Sequence, residues 1–202
     1  MEENGNAIEV GRVLRSSTAA FTVGAQQLIA DQDALTPRLG ALIKTAGARN
    51  NIFGLICNVT IEDDAFVRQL VAAGVDNPVM IEDQRQRRQV PVVIEVLAVG
   101  YADETAIYHR LPPQPPRTLD MIYTCNNAEL RRFSERHDWL RIVLAAPAGP
   151  VDQILVAALR AAAAARPSID EQEQYLIGAG RELARLLALD LSRLDGILRQ
   201  LR

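Results

Sequence analysis

HRLPPQPPRTLDMIYTCNNAEL, residues 109–130, joins two parts of the chain that differ in character. Short apolar runs with strand-like spacing precede it, whereas helical patterns and an Arg-, Ala- and Leu-rich tail follow it. Four of the five residues in 112–116 are proline, and proline is excluded from the interior of a helix or of a central strand. The segment is therefore predicted to be a connection on which the architecture depends.

The composition indicates a globular protein with an aliphatic core. The 202 residues are 49% hydrophobic but only 4% aromatic, so Val, Ile, Leu and Ala must fill the interior. No apolar run approaches the ~18 residues of a membrane helix, and the acidic start MEENGNAIEV lacks the apolar stretch of a signal peptide. We expect a cytoplasmic protein without a membrane span, in which Cys57 and Cys125 are buried free thiols.

Hydrophobic periodicity predicts short strands first and helices afterwards. Strands are expected at 8–15, 19–29, 39–46, 51–61, 90–101, 105–109 and 119–125. Helices are expected at 65–74, 128–137, 151–165, 168–189 and 191–201, with 139–146 open between strand and helix. The fourth strand is expected to be half-exposed. Its buried face is expected to carry Phe53, Leu55, Cys57, Val59 and Ile61.

This order of elements predicts an α+β fold, in which a small closed Greek-key-like β-barrel is followed by a C-terminal helical domain. We assign the barrel to residues 1–133, with a helical insertion at about 63–89, and the helical domain to residues 134–202. Residues 109–119 are then the crossover that closes the barrel. Asn126 or Asn127 is expected to cap the next helix, and Ser168 with Glu171 fits a capping box.

Three segments resemble, in order, the HerA–ATP synthase barrel, the small β-barrel that precedes HerA-type hexameric DNA translocases. They are VGRVLRSSTAAFTV (10–23), LGALIKTAGARNNIFGLICNV (39–59) and VVIEVLAVGYADETAIYHRLPPQPPRTLDMIYTCNNAEL (92–130). The resemblance covers roughly residues 8–133, interrupted by the insertion. It implies a barrel that makes ring contacts and docks a nuclease partner.

The chain departs from that family where its ATPase domain would follow. A phosphate-binding loop needs G-x-x-x-x-G-K-[ST], whose backbone N–H groups and lysine hold the phosphates. The only lysine is Lys44, and Ile43 stands where the glycine is required. We therefore expect no enzymatic activity and no cofactor. His109, His137 and Asp138 lack a convincing further ligand, so we expect surface or helix-end histidines rather than a metal site.

Three surfaces are candidates for binding. The dense basic spot Arg85, Arg87 and Arg88 could contact nucleic-acid phosphates, although a solvated loop beside acidic residues is the simpler interpretation. Partner contacts are assigned to the crossover and to the apolar stripe of the last helix, which could instead pack within the chain. The residues concerned are Leu111, Pro112, Pro115 and Arg117 in the crossover, and Leu194, Leu198 and Leu201 in the helix.

The crossover also matches a polyproline ligand formally, as Pro112-x-x-Pro115-x-Arg117, but a connection that covers the barrel edge is the simpler interpretation. The resulting hypothesis is a non-enzymatic assembly protein that oligomerises or docks to a HerA-like DNA translocase or nuclease. The alternative is a nucleic-acid-binding module that uses the Arg85–Arg88 loop. The net charge of −3 disfavours a broad nucleic-acid-binding face.

Overall fold

A computed structural model describes residues 7–25, 38–45, 51–61, 65–74, 76–79, 92–147 and 149–201. The strands are β1 (Glu9–Ser16), β2 (Ala20–Ala25), β3 (Leu42–Thr45), β4 (Asn51–Ile61), β5 (Val92–Ala102), β6 (Ile107–Tyr108) and β7 (Met121–Thr124). The helices are α1 (Ala65–Ala72), α2 (Asn127–Phe133), α3 (Leu140–Leu144), α4 (Val151–Ala164), α5 (Ile169–Leu186) and α6 (Leu191–Leu201). No helix in these ranges is long and apolar enough to cross a membrane.

Six antiparallel strands close into a barrel in the order β1, β2, β5, β4, β3, β7, with β7 pairing again with β1. The short strand β6 pairs with the end of β5 outside this ring. The helices α2 to α6 follow the last barrel strand. The predicted α+β class, a closed barrel with a C-terminal helical part, is confirmed.

The barrel interior is filled by aliphatic and aromatic side chains. These belong to one cluster: Val13, Phe21, Val23, Ile43, Ile52, Ile56, Val92, Ile94, Val96, Ala98, Tyr101 and Ile122. They alternate along each strand with residues that point outward, because successive side chains of a strand lie on opposite faces. The low aromatic content of the sequence is thus reflected in a mainly Val and Ile core.

From Ile52 to Ile56 strand β4 is buried on both faces, so the prediction of a half-exposed strand was wrong for this part. Asn58 and Thr60 are exposed as predicted, whereas Ile61, expected on the buried face, is 58% exposed. Ile52 and Ile56 belong to the barrel interior, whereas Phe53 and Leu55 belong to a second cluster formed with the helices. The register then shifts between Ile56 and Asn58, which leaves an extra residue in β4. After this bulge the faces exchange, and Val59 packs against the interior cluster instead of following Leu55.

The second cluster joins the outer wall of the barrel to the helices. Phe53 of β4 lies 5.0 Å from Phe133 of α2, measured between ring centroids, and Phe133 lies 6.2 Å from Trp139. Leu140 and Val143, three residues apart in α3, are fully buried in the same cluster. This spacing explains why the ambiguous segment 139–146 forms a helix.

Two predicted helix starts are confirmed. The Asn126 side chain accepts a hydrogen bond from Glu129 N (2.9 Å), and Glu129 Oε2 accepts one from Asn126 N (3.1 Å), which completes a capping box. The Lys44 ammonium contacts the Glu129 carboxylate, so β3 is tied to the start of α2. Ser168 caps α5 by accepting a hydrogen bond from Glu171 N (3.2 Å).

Gly40 permits the close approach of α4 to the barrel. Its φ is 75°, a conformation that favours glycine, and a Cβ there would lie 2.6 Å from Ala157 Cβ and 2.8 Å from Ile154 O. Any side chain at this position would push the helix away from the start of β3. Gly196 is the opposite case, since a Cβ in the middle of α6 would meet no atom within 4 Å.

We predict that Gly40→Ala lowers the free energy of unfolding by about 2–4 kcal/mol, because strain and overpacking add at this site. Gly196→Ala is the matched control and should raise it by up to about 1 kcal/mol through helix propensity. Urea denaturation followed by circular dichroism measures both. Equal effects of the two substitutions would contradict the close helix contact at Gly40.

Candidate functional site

The proline-rich crossover lies along β1. Ser16 Oγ donates a hydrogen bond to Pro116 O (2.6 Å), Arg12 Nη1 donates one to Leu119 O (3.1 Å), and Leu119 N donates one to Val13 O (2.8 Å). The last residues of the crossover, up to Asp120, therefore extend the pairing that β7 makes with β1. The segment is fixed by its backbone and follows the barrel wall instead of hanging free between two parts of the chain.

The crossover presents a partly apolar surface. Pro112 and Pro116 are buried, whereas the Pro115 and Arg117 side chains are exposed. Leu111, Leu119 and the β1 residue Leu14 are exposed by 47%, 63% and 49%. We call the following set the crossover surface: Leu14, Leu111, Pro115, Arg117 and Leu119.

Of the residues assigned to partner contacts in the crossover, Leu111, Pro115 and Arg117 are thus accessible. Pro112 is not accessible, because it is buried. A polyproline ligand must offer both prolines of its motif to the receptor groove. The buried Pro112 therefore speaks against that use of the segment.

Leu119 has an unusual backbone conformation for an exposed leucine. Its φ is 70°, and it is the only residue other than glycine with a positive φ in the described part of the chain. It lies in a turn in which Asp120 N donates to Arg117 O (3.1 Å) and Arg117 N donates to Asp120 Oδ2 (2.7 Å). The left-handed conformation costs about 1–2 kcal/mol for a residue with a Cβ. Sequence reasoning did not single out Leu119, because no local pattern marks a leucine for this conformation.

The leucine stripe of α6 faces its own chain in part. Leu194 and Leu201 pack against the helical cluster, and Leu198 is half-buried. The most buried residue of the helix is Ile197, which is 1% exposed and which the predicted stripe omitted. Leu191, at the start of the helix, is 67% exposed. The stripe therefore contributes mainly to intramolecular packing.

Two groups of arginines differ in whether the structure describes them. Arg85, Arg87 and Arg88 lie outside the described residues, so the nucleic-acid hypothesis stays a prediction. Arg131 donates a hydrogen bond to Ala165 O (2.8 Å), where it satisfies a carbonyl at the end of α4. Arg166 lies over the Tyr175 ring, with its guanidinium carbon 3.5 Å from the ring centroid. These two arginines hold the helices together.

Both histidines are half-buried, so neither is a fully exposed surface residue, and His137 lies between the end of α2 and the start of α3. His109 Nε2 donates a hydrogen bond to Phe133 O (2.8 Å), which links the start of the crossover to α2. His137 stacks on Tyr175 at 5.0 Å between ring centroids. Burial lowers the pKa of both imidazoles, and the charge of Arg166 lowers that of His137 further. Among the described residues, no three potential metal ligands cluster together.

A cavity of about 440 Å³ lies between the outer wall of the barrel and the helices α3 and α4. We call it the wall cavity. Its apolar side consists chiefly of Val143, Val151 and Ile154, and the strands contribute Thr22 and Cys57 among others. Sequence reasoning missed the cavity, because its walls come from strands and helices far apart in the chain.

Three outward-pointing residues form a row across the strands at the wall cavity. Arg15 of β1 is opposite Thr22 of β2, and Thr22 is opposite Glu95 of β5. All three line the cavity. Within the described part of the chain, no carboxylate forms an ion pair with Arg15 and no cation forms one with Glu95.

The two cysteines are free thiols in different surroundings. Cys57 lines the wall cavity, and burial followed by the negative charge of Glu95 raises its pKa. Cys125 is enclosed more completely, and burial raises its pKa to about 12. Cys57 is therefore the thiol that a reagent entering the cavity would reach.

No protein-family model matches this sequence, and no curated protein matches it closely enough to count as a relative. The closed barrel is a feature of the structure. The resemblance to the HerA–ATP synthase barrel stays a prediction from the sequence segments.

We predict that Glu95→Gln increases the rate at which iodoacetamide alkylates Cys57 at pH 8. Loss of the carboxylate charge lowers the pKa of the Cys57 thiol, and the thiolate is the reacting species. Peptide mass spectrometry measures the rate, with Cys125 as the internal control that should stay slow. An unchanged Cys57 rate would show that Glu95 does not act on the thiol.

We predict that the protein loses stability as the pH falls from 7.5 to 5.5. Because the folded-state pKa values of His109 and His137 are lowered, the unfolded chain binds protons more readily below about pH 6.5. The stability contributed by the neutral imidazoles is complete above that pH and is lost as the pH falls through the folded values. Thermal unfolding should give a lower Tm at pH 5.5 and a smaller difference in the double variant His109→Gln/His137→Gln. An equal decrease in Tm between pH 7.5 and pH 5.5 in both proteins would rule out the histidines as the origin of the pH dependence.

Proposed function

We propose that this chain is a non-enzymatic assembly protein built on a barrel of the HerA–ATP synthase type. The crossover surface is the contact region through which it oligomerises or docks to a HerA-like DNA translocase or nuclease. The observation that carries the proposal is Leu119, an exposed leucine held at a φ of 70° at the end of the proline-rich crossover.

The energetics of Leu119 favour a role in a contact. Its conformation costs about 1–2 kcal/mol, and a side chain that is 63% exposed recovers little of this within its own chain. Complete burial of a leucine stabilises by about 1.5–3 kcal/mol. Contact with another protein would therefore offset the strain, whereas packing within the chain does not.

The rest of the chain supports a binding role more than a catalytic one. The sequence lacks a phosphate-binding loop, and its single lysine is engaged with Glu129 at the start of α2. Side chains fill the barrel interior. The end of the crossover, by contrast, is held against β1 by backbone hydrogen bonds and by bonds from the Arg12 and Ser16 side chains to its carbonyls. A preorganised surface loses little conformational entropy on binding.

We predict opposite effects of Leu119→Gly on stability and on assembly. Glycine adopts a φ of 70° without strain, so the free energy of unfolding should rise by about 1 kcal/mol. The same change removes the apolar contact, so the assembly should be weaker and dissociate at a higher protein concentration than the wild type. Thermal unfolding and light scattering coupled to size-exclusion chromatography measure the two effects, first for the protein alone and then with a purified HerA-like ATPase.

Leu189→Gly is the matched control. Leu189 is fully exposed, lies in the turn before α6 and is far from the crossover in sequence. It should leave assembly unchanged. A wild-type protein that is monomeric at high concentration and binds no HerA-like ATPase or nuclease would overturn the proposal. So would a Leu119→Gly variant that assembles as tightly as the wild type.

A further inference from the structure

The wall cavity has two chemically different sides. The helical side is apolar and includes Val143, Val151 and Ile154. The strand side carries the row of Arg15, Thr22 and Glu95, with an unpaired charge of opposite sign at each end among the described residues. A volume of about 440 Å³ is within the range of small-molecule sites. Nothing in the proposed assembly uses this cavity.

The positions of Arg15 and Glu95 on the strands limit what can bind. Neighbouring strands lie about 4.8 Å apart, so the backbones at Arg15 and Glu95, two strands apart, are separated by about 10 Å. A ligand with one charge would leave the other residue unmatched. A fatty acid would also bring a second negative charge to a site that already holds Glu95. An amine would bring a second positive charge to a site that already holds Arg15.

We infer that the wall cavity binds a short apolar peptide with free termini, about three residues long. An extended chain of three residues spans about 10 Å, which matches the separation of the two backbone positions that carry the charges. The carboxylate end lies at Arg15 on β1 and the ammonium end at Glu95 on β5. The apolar side chains lie against α3 and α4, and the Thr22 hydroxyl faces the middle of the peptide.

The direct test measures binding of the tripeptide Leu-Ala-Val to the full chain by isothermal titration calorimetry. Alkylation of Cys57 locates the site, because Cys57 lines the cavity. The free peptide should slow alkylation of Cys57 and leave Cys125 unaffected. Acetylation of its N-terminus or amidation of its C-terminus should each weaken binding about two- to five-fold, the effect expected for partly exposed charge pairs.

Variants assign each end of the peptide. Arg15→Gln should abolish the preference for a free carboxylate and leave the preference for a free amine. Glu95→Gln should do the reverse. Arg160→Gln and Glu173→Gln, on the exposed faces of α4 and α5, are the matched charge controls and should change neither preference.

Ala20→Phe tests the cavity without removing a charge. Ala20 lies on the outward face of β2, is exposed and lines the cavity, so the larger ring fills space without entering the barrel core. This variant should fold with an unchanged circular dichroism spectrum and lose binding. The inference is overturned if octanoate or the doubly blocked peptide binds as tightly as the free one, if no peptide protects Cys57, or if Ala20→Phe binds like the wild type.

Discussion

The pairing of β5 with two partners along the same residues is the interaction on which the structure depends. From Val92 to Leu97, β5 is opposite β2 on one side, and from Val92 to Ala102 it is opposite β4 on the other. This double pairing converts a row of strands into a closed ring and removes the free edges of an open sheet. The stretch VVIEVLA is therefore apolar toward the interior at every second residue and carries Glu95 on the outside.

Closure also explains the irregularities of the sheet. A short barrel wall must bend sharply, and bulges supply that bend. The register of β4 against β5 shifts twice, between Phe53 and Gly54 and between Ile56 and Asn58. On either side of the first shift, Phe53 and Leu55 point outward, where the helices cover them. The helical part is thus attached to the barrel through the outer faces of β4 and β5, and Phe133, the last residue assigned to the barrel, lies within that shared cluster.

The sequence predicted what depends on neighbours along the chain. The alternation of apolar residues located the strands, the Asn126 and Ser168 side chains marked two helix starts, and the prolines marked the crossover. Features that depend on distant pairing were missed. The two-sided burial of β4 follows from helices that cover its outer face at Phe53 and Leu55. The row of Arg15, Thr22 and Glu95 follows from the register of three strands. The strain at Leu119 arises from a turn that no residue type in the sequence predicts.

The ion pair between Lys44 and Glu129 has a consequence for the charge of the whole molecule. Lys44 is the only lysine of the chain, its side chain is 18% exposed, and it is engaged at the start of α2. Every other basic side chain apart from the histidines is an arginine, whose guanidinium stays protonated at any physiological pH and is not acylated as an amine is. Lysine acetylation would therefore alter the start of α2 and leave the arginine charges of the exposed surface intact.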